Sequence, residues 1–80
     1  MLVESDVSLV TRAQAGDTDA FRVLVERHTR SVFRLAFRLT GNEQDADEVV
    51  QEALIKAYRQ LHRFESRASF STWLYRITAN

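Results

Sequence analysis

Proline is missing from this chain, and glycine occurs only at positions 16 and 41. These two residue types interrupt regular backbone most strongly. Proline lacks an amide donor, and glycine loses the most conformational entropy on ordering. With only two glycines and no proline in 80 residues, the chain has few places to turn. The expectation is therefore an all-α protein: a compact bundle of three to four helices, made of a short first helix, two long antiparallel helices, a loop and a final helix.

The apolar periodicity fills in that outline. Ser5 or Asp6 caps a short helix with Val7, Leu9, Val10 and Ala13 on its inner face, and Gly16 supplies a left-handed exit. Asp17 or Thr18 opens the next helix. There Phe21, Leu24, Val25, His28, Val32, Leu35, Ala36 and Leu39 recur at steps of three and four. Val23, Phe33 and Phe37 widen this surface, which predicts neighbours on more than one side, and Gly41 ends the helix. Asn42 caps a third helix that buries Ala46, Val49, Val50, Ala53, Ala57, Tyr58 and Leu61. Residues 64–68 break the period and read as a loop. Ser69 then caps a last helix with Phe70, Leu74 and Ile77 stacked on one face and Trp73 at its edge. The chain reaches Asn80 with neither cap nor breaker, which predicts a domain cut from a longer protein.

Several function classes are excluded or disfavoured. A chain of this length forms one small domain, and 45% hydrophobic residues is too rich for disorder. Without cysteine there are no disulfides and no thiolate metal sites. The first six residues have no basic or apolar segment of a signal peptide, and no apolar run nears the roughly 20 residues that span a bilayer. A cytoplasmic protein with no membrane insertion is expected. His28 and His62 fall on different helices outside any metal-binding spacing, and no glycine-rich phosphate loop or nucleophile constellation is present. His28 lies on an apolar stripe and reads as a satisfied core residue. The expectation is a non-enzyme with no cofactor and no metal.

What remains lies between Asp45 and Asn80. The first third of this stretch is acidic, with Asp45, Asp47, Glu48 and Glu52, and Lys56 stands four residues after Glu52 as a helical ion pair. The remainder is basic and aromatic. A helix dipole accounts for that polarity as well as a binding partner does. From Arg59 to Arg76, however, arginines interleave with aromatic rings. Arginine forks grip phosphate, and flat rings stack on unpaired bases. Phe70 reads as core, Trp73 fits core or interface equally well, and Arg67 reads as functional because Glu65 is its only nearby carboxylate.

The run Asp45-Ala46-Asp47-Glu48-Val49-Val50-Gln51-Glu52-Ala53-Leu54, with Lys56-Ala57-Tyr58 and then Phe64, Phe70-Ser71-Thr72-Trp73-Leu74-Tyr75-Arg76-Ile77 and Asn80, resembles conserved region 2 of extracytoplasmic-function (ECF) sigma factors of bacterial RNA polymerase. Gly16-Asp17 with Ala20-Phe21 resembles the start of that domain, so the likeness covers nearly all of residues 1–80. It implies a domain that binds the beta-prime coiled coil of the polymerase core and captures the single-stranded non-template −10 promoter element. The polymerase-binding positions it implies are Glu48, Gln51, Glu52 and Ile55. The DNA-binding positions, by resemblance and by the basic-aromatic pattern together, are Arg59, Gln60, Arg63, Phe64, Glu65, Ser66, Arg67, Ser69, Thr72, Trp73, Arg76, Ile77 and Asn80. One base is expected in a pocket of the loop. An anti-sigma factor is an implied partner, and the helix-turn-helix domain of full-length members is absent from this chain. Ser66 stands where many relatives carry glycine, and Leu54 where many carry phenylalanine. The rival readings are a helical protein-interaction module that does not touch DNA and a carboxylate metal enzyme.

Overall fold

The computed structural model describes residues 3–80. Four α-helices follow one another: α1 (Asp6–Gln14), α2 (Thr18–Thr40), α3 (Glu43–Gln60) and α4 (Phe70–Ala79), with a single 3-10 turn at Leu61–Arg63 after α3. Every helix starts on a side-chain cap. Ser5 accepts from the Ser8 amide at 3.1 Å, Asp17 from Ala20 at 3.2 Å, Asn42 from Asp45 at 2.8 Å and Ser69 from Thr72 at 3.2 Å. Each satisfies an amide that the first helical turn leaves without a partner. At Ser5-Asp6 and Asp17-Thr18 the first residue takes the cap, which frees Asp6 for a tertiary role. Gly41 ends α2 at φ 81°, its amide donating to the Phe37 carbonyl at 2.8 Å. That left-handed exit reverses the chain within two residues, so α3 returns along α2.

The α2–α3 hairpin is the frame. Ala20, Ala36, Ala46, Ala53 and Ala57 are almost wholly buried, and small side chains let the helices approach closely. Leu9 and Val10 of α1, Leu24 and Val32 of α2, Val50 of α3 and Phe70 and Leu74 of α4 fill the space between them. Leu24 and Leu74 are fully enclosed, and truncating either to alanine costs about 2–5 kcal/mol. α1 lies mainly on α2, and α4 on both long helices. Polar ties fix α1: Asp6 accepts from Arg27 at 3.0 Å and meets His28 Nε2 at 2.7 Å. His28 is thus the partnered, half-buried residue that its place on the stripe predicts.

Several expectations need correction. Leu39 is 56% exposed, standing at the rim of a groove beside Val49 and Ile77 rather than beneath a helix. Val7 is exposed in the first turn of α1, and Tyr58 is exposed too, its ring in a T-shaped pair with Phe21 at a centroid distance of 5.1 Å. On α4 the fully inward position after Leu74 is Thr78, with Ile77 half-buried beside it. Thr78 tolerates burial because its hydroxyl donates to the Leu74 carbonyl at 2.8 Å. The Glu52–Lys56 ion pair does not form: among the described residues no carboxylate lies within 4.0 Å of Lys56. Among those residues no helix is long and apolar enough to cross a membrane.

Candidate nucleic-acid interface

The chain between the 3-10 turn and α4 is short, irregular and held from both sides. Gln14, in the last turn of α1, reaches it across 47 residues of sequence. Its Nε2 donates to the Leu61 carbonyl at 3.0 Å and to the Phe64 carbonyl at 2.9 Å. The Phe64 amide closes the turn on the same Leu61 carbonyl at 3.0 Å. On the α4 side the Ser69 hydroxyl meets Thr72 Oγ1 at 2.9 Å as well as capping the helix. Between these anchors Ser66 sits at φ 60°, the only described non-glycine residue at positive φ. A side chain in that left-handed region costs roughly 1–2 kcal/mol. The anchors on both sides hold this strained residue in place.

Under the loop lies an aromatic cluster. Phe64 meets Phe70 edge-on at 6.1 Å and Trp73 at 5.1 Å, and Phe70 meets Trp73 at 5.7 Å. Phe64 is only 9% exposed. Its ring belongs to the core and forms a wall of the site. Trp73 is half-buried, packed inward on Phe64 with part of its surface still in solvent.

Two cavities flank the loop. The first, about 330 Å³, is walled by Asp6, Val7 and Val10 of α1 and by Phe64, Ser66 and Phe70. The second, about 170 Å³, is a shallower cleft where Arg63, Glu65, Arg67 and Arg76 surround Phe64 and Trp73. Loop and helix cap thus combine apolar walls, hydroxyls and guanidinium groups within one small surface. That is the chemistry of a site that stacks a base and holds its phosphate.

Electrostatics favour an anion. Arg63 and Arg76 have no carboxylate within 4.0 Å among the described residues. Arg67 pairs with Glu65 at 3.2 Å, but its side chain is 88% exposed, and a pair so open to water holds it weakly. Elsewhere, burial pushes the Asp6 carboxyl up, but the hydrogen bonds from His28 and Arg27 and their charges outweigh it and hold the group below its ordinary 3.8. Asp17 is held low by its hydrogen bond from Arg12 and by the capped Ala20 amide, and Arg12 is raised in return. These shifted groups sit in the α1–α2 packing rather than at the basic cleft. Among the described residues no group of three or more His, Asp or Glu side chains is placed to hold a metal ion.

Not all the expected DNA residues converge. Arg63, Phe64, Glu65, Ser66, Arg67, Ser69, Trp73 and Arg76 line one or other cavity. Thr72 joins them through Ser69. Arg59 and Gln60 are exposed at the end of α3 and line neither cavity. Ile77 and Asn80 lie at the far end of α4, in a groove with Glu52, Lys56 and Leu39. Spacing did not single out Gln14, Asp6, Val7 and Val10. Their contribution is a long-range contact that leaves no periodic signal.

A second surface lies on α3. Glu48, Gln51, Glu52 and Ile55 follow helical spacing and are all exposed. Glu48 and Glu52 have no ion-pair partner among the described residues, and Ile55 is 53% exposed. An apolar residue set among free carboxylates on a rigid helix suits a basic, partly apolar partner.

Comparison with known proteins identifies the domain. Residues 24–80 match the family described as Sigma-70 region 2. RNA polymerase sigma-H factor of Pseudomonas aeruginosa is 46% identical over 77 residues, which is 96% of this chain and 40% of that protein. ECF RNA polymerase sigma-E factor of Escherichia coli K12 is 47% identical over 76 residues, 95% of this chain and 39% of that protein. ECF RNA polymerase sigma factor SigW of Bacillus subtilis is 38% identical over 71 residues, 89% and 38%. The chain therefore spans about 40% of the length of these relatives. Among solved structures, an engineered region 2 of sigmaE in complex with GTAAAA superimposes with a TM-score of 0.90 at 48% identity, covering 96% of this chain and 80% of that one. The family match over residues 24–80 and these identities place the fold: the chain belongs to the sigma-70 region 2 family, in its ECF branch.

Proposed function

We propose that this domain serves a cytoplasmic sigma factor by docking on RNA polymerase core and capturing the unpaired non-template −10 strand. The observation that carries the reading is the anchored loop between Leu61 and Ser69. It gathers a strained Ser66, an inward-packed Trp73 and the arginines 63, 67 and 76 around two adjacent cavities. Bases enter the cavities while phosphates meet the guanidinium groups. Because only unpaired bases fit, binding favours the melted promoter and shifts the equilibrium toward it without any catalytic step. The α3 face with Glu48, Gln51, Glu52 and Ile55 docks on the beta-prime coiled coil. Its free carboxylates support a basic partner, and the α2–α3 hairpin fixes the angle between the two surfaces. An anti-sigma factor that covers one surface would silence the activity of that surface.

The test is fluorescence anisotropy with labelled single-stranded GTAAAA, the sequence bound by the sigmaE domain, against a hexamer of the same composition in scrambled order. Tighter binding of one order is the expected result. Equal binding of both, alone and with core polymerase, would end the base-reading proposal and leave a polymerase-docking module.

A further inference from the structure

The arginines of α2 divide into two groups. In its first half each has a carboxylate: Arg22 pairs with Asp19 and Glu26, and Arg27 with Asp6. In its second half none does. Arg30, Arg34 and Arg38 stand at steps of four on one exposed face, with no ion pair among the described residues. Like charges at that spacing destabilise a helix, so the row works against the fold that carries it. No carboxylate pairs with the row among the described residues, and its own stretch of sequence and α4 supply none. Residues 29–40 and 66–80 hold Arg30, Arg34, Arg38, Arg67 and Arg76 and not one Asp or Glu. α4, which packs against α2, therefore adds no negative charge to this face.

The row also has a shape. Ser31, Arg34, Leu35 and Arg38 of α2 and Tyr75 of α4 enclose a notch of about 290 Å³. It offers two guanidinium forks, a hydroxyl and an aromatic ring, the donor set that suits a phosphate with its attached sugar and base. Tyr75 is next in sequence to Arg76, which lines the cleft beside Trp73. α4 is therefore a ridge with cations on both flanks. A helix with its side chains is about 10–12 Å across, so a strand running off the loop cleft crosses it to reach the second flank.

We propose that Arg30, Arg34 and Arg38 with Tyr75 form a second, sequence-independent contact for single-stranded nucleic acid, a phosphate rail that continues the loop site over α4. The rail rests on the reading of the loop as a strand-binding site. Its occupant is the same strand, beyond the segment whose bases enter the loop cavities.

The experiment measures anisotropy of labelled GTAAAA and of the same hexamer lengthened with thymidines at its 5′ or its 3′ end, across a salt series. For the wild-type chain, extension at one end raises affinity and steepens the salt dependence. Arg34→Gln/Arg38→Gln keeps the side-chain stems and good helix formers. It abolishes that increase and lowers the log–log salt slope by about 0.7 for each phosphate no longer neutralised, while hexamer affinity stays unchanged. Arg22→Gln, which alters a paired arginine on the same helix, leaves the increase in place. The rail is overturned if neither extension raises wild-type affinity, or if the double variant keeps the increase. A hexamer that fails to bind, while extended strands still bind through Arg34 and Arg38, refutes the loop reading and, with it, the rail as a continuation of the loop site. Absence of binding by every oligonucleotide refutes both.

Discussion

Gln14→Ala tests whether α1 is the support of the nucleic-acid loop. The side chain makes two hydrogen bonds, to the carbonyls of Leu61 and Phe64 at 3.0 and 2.9 Å, both partly buried. Each such bond contributes about 0.5–1.5 kcal/mol net. The Leu61 carbonyl keeps a partner when the Gln14 amide is removed, because the Phe64 amide also donates to it. The Phe64 carbonyl keeps none among the described residues, so water must enter to satisfy it. The destabilisation is then about 1–2 kcal/mol, nearer the bottom than the top of the two-bond range. In a domain of this size, each kcal/mol lowers Tm by about 4–8 °C. Thermal unfolding followed by circular dichroism at 222 nm reads that shift. Anisotropy with GTAAAA, at a temperature where both proteins are fully folded, reads the effect on the loop. Gln14→Met, which keeps the stem without the donors, should match the alanine variant in both. An unchanged Tm would refute the claim that these bonds hold the loop. A lowered Tm with unchanged hexamer affinity would refute the claim that the loop's shape matters for binding.

Other consequences follow from single features. Ser66→Gly removes a side chain from φ 60°; the relief of roughly 1–2 kcal/mol is partly offset by glycine's extra chain entropy of about 0.5–1 kcal/mol. Urea unfolding should therefore show equal or slightly greater stability, and a clear decrease would contradict the strain argument. Asp6 is held below its ordinary 3.8 by His28 and Arg27, so the folded state binds its proton more weakly than the unfolded state. The stability it adds is complete above the ordinary value and disappears as pH falls through the lowered one. Asp6→Asn should flatten that part of an acid-unfolding curve, and an identical acid limb would show that the contact carries no linkage. Glu52→Arg reverses charge on the exposed α3 face and should abolish capture by an immobilised beta-prime coiled coil with helicity intact; undiminished capture would remove Glu52 from the docking surface.

The fold was readable because its signals are local. Two glycines, four side-chain caps and apolar steps of three and four are all written within a few residues, and each cap formed at one of the expected positions. What escaped depends on how far a neighbouring element extends. Leu39 and Tyr58 lie on the right stripe by angle but beyond the cover of the packed helices. Thr78 displaces Ile77 from the centre of the α4 interface because a hydroxyl can satisfy itself within its own helix. The site divides the same way. The run of arginines and aromatics marked the loop, and resemblance marked the strained position 66. The contribution of α1 through Gln14 and Asp6 spans 47 residues or more to the loop, and no spacing rule encodes that. Nor does spacing say which arginines find carboxylates, which is what separates Arg22 and Arg27 from Arg30, Arg34 and Arg38.

The central claim is that the domain recognises bases only when they are unpaired. The direct measurement is the affinity of the wild-type chain for GTAAAA embedded in a single strand and in a duplex of the same length, at matched salt. The single strand should bind clearly and with dependence on base order, and the duplex only through its phosphates and without regard to order. Equal, order-dependent binding of both forms would mean that the bases are read from a groove, and the loop cavities would lose their role.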